Sequence, residues 1–94
     1  MNKKPVTESG GNVFADLGFS PEESTLLAMR AELMACLRET INERDWTQQE
    51  ASKILGIGQS RVSDLVRGKW DKFSLDMLVT LVTRTGKHVE LAVV

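Results

Sequence analysis

Ninety-four residues make one domain at most, and a hydrophobic fraction of 41% is enough for one compact core. Twelve Lys and Arg stand against 13 Asp and Glu, a net charge of −1, which is not the strongly basic balance of a non-specific nucleic-acid binder. Cys36 is the only cysteine and His88 the only histidine, so neither an intrachain disulfide framework nor a metal cluster is expected.

The charge is unevenly spread. Residues 1–45 carry five basic and eight acidic side chains, a net of −3, while residues 46–94 carry seven basic and five acidic, a net of +2. The second half therefore suits DNA, and the acidic first half suits a basic partner. There is no signal peptide and no long apolar run, so no membrane association and a cytoplasmic location are expected.

Residues 1–11 read as a flexible N-terminal tail, with Lys3, Lys4 and Pro5 followed by Ser9-Gly10-Gly11. Residues 12–94 read as a single domain. Its leading segment, Asn12 to Phe19, holds Phe14 and Phe19, which either cap the core or pack on a partner. Ser20-Pro21-Glu22-Glu23 predicts a helix start: Ser20 caps, Pro21 takes the first helical position and Glu23 completes a capping box. That helix is expected to run to about Arg44, with Leu26, Leu27, Leu33, Met34, Leu37 and Ile41 as its apolar stripe. Cys36 on it reads as a small core residue.

Two short helical patterns follow. Thr47 and Glu50 form a second capping box, with Trp46 and Ala51 placed as a hydrophobic staple. The first helix is expected to end near Leu55, with Ala51, Ile54 and Leu55 on one face. Gly56 suits a left-handed C-terminal residue, and Ile57 plugs the angle between the helices. The second helix is predicted from about Gln59 to Arg67, with Val62, Leu65 and Val66 inward and Gly68 as its stop. Its outward residues are Gln59, Ser60, Arg61, Ser63 and Asp64. This is the build of a helix-turn-helix over residues 47–67, whose second helix enters the major groove. Gln pairs bidentately with adenine, Arg with guanine, and Ser bonds either, so Gln59, Ser60, Arg61 and Ser63 are the candidate base readers. The plainer alternative, a solvated polar face, leaves the turn chemistry unexplained.

Arg67, Lys69 and Lys72 are the candidate phosphate contacts in and after the second helix. Trp70 between them either covers the core or lies at an interface, and Phe73 reads as core. Ser74 caps a last helix from Leu75 to about Thr85, with Leu75, Leu78, Val79 and Val82 inward and Gly86 as its stop. Residues 87–94 then alternate, with Val89, Leu91 and Val93 on one side, which predicts a β-strand. No second strand is visible, so the expected partner is the same strand of another copy. Such a homodimer matches a palindromic operator.

Gln48 together with Gly56-Ile57-Gly58-Gln59-Ser60 resembles the helix-turn-helix of lambdoid repressors and the wider XRE family. The resemblance implies that Gln48 and Thr47 serve the phosphate backbone, and that Gln48 braces a base-reading Gln59. Residues 12–23 and 61–69, with Lys72-Phe73-Ser74, are similar to the HigA-type XRE antitoxins, which partner HigB/RelE-like toxins. The resemblance implies a repressor of its own promoter that also holds a toxin. A solitary phage- or plasmid-type regulator shares the same flanks, and a protein-interaction module without DNA binding is the reading from another class. The expected fold is mainly α, a lambda-repressor-like bundle of about four to five helices with a C-terminal strand pairing across a dimer. No phosphate loop, metal spacing or nucleophile–base pair is present, so neither an enzyme nor a cofactor is expected.

Overall fold

The computed structural model describes residues 13–94, so the tail at 1–11 and Asn12 lie outside it. Its elements are α1 (Val13–Asp16), α2 (Pro21–Glu43), α3 (Gln48–Leu55), α4 (Gln59–Val66), a 3-10 turn (Trp70–Lys72) and α5 (Leu75–Arg84).

The single turn of α1 ends before Gly18, whose φ of +96° reverses the chain cheaply. Phe14 then packs edge-on against both Phe19 and Trp70, with ring centroids 6.2 and 6.0 Å away. Trp70 thus covers the core from one side.

The long α2 begins as its capping box requires. Ser20 Oγ accepts from the Glu23 N–H at 3.2 Å, and Glu23 Oε1 accepts from the Ser20 N–H at 3.1 Å. Leu27, Met34 and Ile41 recur every seven residues and are buried, with Leu37 beside them. Leu26, expected in the stripe, is 44% exposed, and Leu33 is half-buried. Each lies one residue, about 100°, round from the buried line.

Eleven buried side chains form the core. Met34, Leu37 and Ile41 of α2 meet Ala51 and Leu55 of α3, Val62 and Leu65 of α4, Phe73, and Leu78, Leu81 and Val82 of α5. Ile54 and Val66, expected inside, are 39% and 41% exposed, because eight-residue helices turn only a narrow stripe inward. Leu81, not among the residues expected inward on α5, is buried, while Leu75 and Val79 are half-buried. Trp46 is half-buried against the core, at the staple position.

Basic side chains tie helix ends together. Arg44 donates to the Thr85 carbonyl at 2.7 Å and lies 5.4 Å over the Trp46 ring. Lys87 Nζ donates to the buried Thr40 hydroxyl at 2.9 Å and sits 3.6 Å from Glu43. These contacts pull the chain after α5 back onto α2.

The C-terminal strand is corrected. Residues 87–94 carry no strand, and the described residues contain none at all. A strand needs a ladder partner, and the chain supplies no second extended segment. Val89 settles half-buried on the core, whereas Leu91, Val93 and Val94 are 74%, 87% and 97% exposed.

Candidate nucleic-acid interface

α3 is anchored at its start by Thr47. Its hydroxyl accepts from the Glu50 N–H at 3.0 Å, while Glu50 Oε1 accepts from the Thr47 N–H at 2.8 Å. At its end Gly56 adopts φ +72°, and the Gly56 and Ile57 N–H groups both donate to the Ser52 carbonyl, at 2.8 and 3.2 Å. The Ser52 hydroxyl donates to the Ile57 carbonyl, closing the turn from inside. Arg84 of α5 donates to the Leu55 carbonyl at 2.6 Å. The angle between α3 and α4 is therefore held by backbone, by Ser52 and by a distant arginine. The pattern Gly56-Ile57-Gly58 announced the turn. Nothing in the sequence announced Arg84, which lies 29 residues from its partner.

Gly58 stands at the N-cap of α4 and offers no side-chain cap, so the first N–H groups of the helix are left for another acceptor. The fully buried Val62 and Leu65 define its inward side. At 100° per residue, Ser60, Ser63, Asp64 and Arg67 centre on the opposite side, with Gln59 on one flank and Arg61 on the other. Gln59 and Ser60 are exposed, and Ser63 is half-buried. Thr47 and Gln48 are exposed at the start of α3. No hydrogen bond joins Gln48 to Gln59 among the described residues.

Arg61 sits differently from its neighbours. One guanidinium nitrogen lies 3.7 Å from Asp64 Oδ2 and donates to the Lys72 carbonyl at 3.4 Å, and the group lies 5.9 Å from the Phe73 ring centroid. It faces the loop after α4, not straight outward. Arg67, Lys69 and Lys72 are exposed and make no ion pair among the described residues. Arg38 of α2 brings another cation to this end: its guanidinium lies 3.5 Å from where a side chain at Gly68 would begin.

Residues 13–94 match the protein family described as a helix-turn-helix domain. The chain belongs to this family. The match covers both helices of the motif and every packing partner described above. It supports an XRE-like, DNA-binding regulator, in agreement with the resemblance read from Gln48 and residues 56–60. No curated protein matches this helix-turn-helix chain. No helix among its described residues is long and apolar enough to cross a membrane.

Proposed function

We propose that this helix-turn-helix protein is a sequence-specific transcriptional repressor that acts without catalysis or cofactor. It inserts α4 into the major groove of double-stranded DNA. The observation that carries the reading is the uncapped start of α4. It offers free N–H groups to phosphate beside exposed Gln59 and Ser60, with the exposed Arg67, Lys69 and Lys72 at and after the end of the helix. Gln59, Ser60 and Ser63 read bases. Thr47, Gln48, Arg67, Lys69 and Lys72 hold the backbone.

The protein binds as a homodimer on a palindromic operator. Support comes from the exposed Leu91 and Val93, apolar side chains that a second copy would cover. The finer assignment is to an antitoxin that represses its own promoter and binds a HigB/RelE-like toxin. It rests on the HigA-type resemblance and on the exposed acidic groups Glu22, Glu32 and Glu39 of α2, which suit a basic protein.

A salt-controlled anisotropy titration on the DNA upstream of its own gene, with scrambled competitor, tests the repressor. Saturable binding that survives competitor is expected. A folded protein that fails to bind at low salt refutes it, and favours a protein-interaction module. Co-purification with the product of the adjacent gene tests the antitoxin assignment, and its failure leaves a solitary regulator.

A further inference from the structure

Asp64 is a carboxylate on the outward side of α4, turned towards the Arg61 flank, a position that opposes phosphate through charge. It is useful there where it meets a hydrogen-bond donor on a base edge, and in the major groove cytosine N4 is that donor. Its side chain is only 23% exposed, and the Arg61 guanidinium lies 3.7 Å from Oδ2. Arg61 is itself held on the loop side, by the Lys72 carbonyl at 3.4 Å and by the buried Phe73 ring at 5.9 Å. The pair runs from the loop, through Arg61, to Asp64.

We infer, resting on the DNA-binding reading above, that Asp64 is a base-reading residue selecting cytosine and that Arg61 is its positioning residue. Arg61 then carries no base of its own. It offsets the Asp64 charge, which lets a carboxylate sit among phosphates, and it aims one carboxylate oxygen while the other stays free. Because Arg61 also touches the loop bearing Lys69 and Lys72, the reading position and the phosphate contacts share one register.

The test selects wild type, Asp64→Asn, Arg61→Gln and Arg61→Lys full-length chains against a randomised duplex pool, then titrates each on the wild-type winning duplex. Asp64→Asn is expected to change the preferred base at one position per half-site from cytosine towards adenine, the base that Asn pairs with, and to weaken the winning duplex about tenfold. Arg61→Gln is expected to blur that same position and no other, while Arg61→Lys keeps the preference. A shift at a different position in Arg61→Gln means that Arg61 reads its own base, and overturns the inference. So does an Asp64→Asn chain with an unchanged preference, which decides the matter alone if Arg61→Gln does not fold. A wild type that enriches no sequence overturns the DNA-binding reading itself, and this inference with it.

Discussion

Arg84, near the end of the last helix, donates to the carbonyl of Leu55, at the end of the first helix of the motif, over 2.6 Å. The same guanidinium lies 2.9 Å from where a Cβ at Gly56 would stand. Glycine suits position 56 for its left-handed φ of +72°, and a side chain there would also push aside the guanidinium that caps α3. A Gly56→Ala change strains the backbone and displaces the cap, and is expected to cost about 1–3 kcal/mol. Urea unfolding measures it. Arg84→Met, which keeps the packing stem and loses the donor, is expected to cost about 1 kcal/mol. An unchanged midpoint in both would show that the cap contributes nothing.

Thr47 is the start of the same helix, and its hydroxyl accepts from the Glu50 N–H at 3.0 Å. Thr47→Ala removes that acceptor and is expected to destabilise the fold by about 1 kcal/mol. Thr47→Ser is expected to restore it. Thermal melts of the two variants decide between a capping role and a purely DNA-facing one.

Gln59 stands exposed at the first position of α4, with no side-chain partner among the described residues. On the cognate duplex, Gln59→Ala is expected to cost about 1–3 kcal/mol and to relax preference at a single base pair. Equal weakening on scrambled DNA would instead place Gln59 on the phosphate backbone.

Lys69 is exposed in the loop and makes no ion pair among the described residues. Lys69→Ala is expected to weaken all sequences alike, and to lower the slope of log affinity against log salt by about one. An unchanged slope would remove it from the interface.

Leu91 and Val93 project into solvent from a segment with no strand partner. The wild type is expected to sediment as a dimer, and a Leu91→Lys, Val93→Lys chain as a monomer. The core is untouched, so its melting should persist. A wild type that is monomeric at high concentration would refute dimerisation through this segment.

Local chemistry determined much of this protein before any coordinates. The pairs Ser20–Glu23 and Thr47–Glu50 lie within one helical turn, so their sequence spacing is also their spatial spacing, and both capping boxes form as read. Gly56, Gly68 and Gly86 marked helix ends because positive φ is a single-residue property, and each has it. The helix-turn-helix was legible for the same reason: it is built from contacts between near neighbours. Tertiary structure alone decided what depends on distant partners. Packing turned Ile54 and Val66 outward and brought Leu81 in, because an eight- or ten-residue helix can rotate by a third of a turn without changing its apolar count. The approach of the loop bearing Lys72 and Phe73 gave the Arg61 guanidinium a carbonyl and a ring to rest on, contacts that its i,i+3 pairing with Asp64 does not supply. The strand read at 87–94 shows the limit most clearly: alternation states that a segment can pair, but a strand exists only where another backbone meets it.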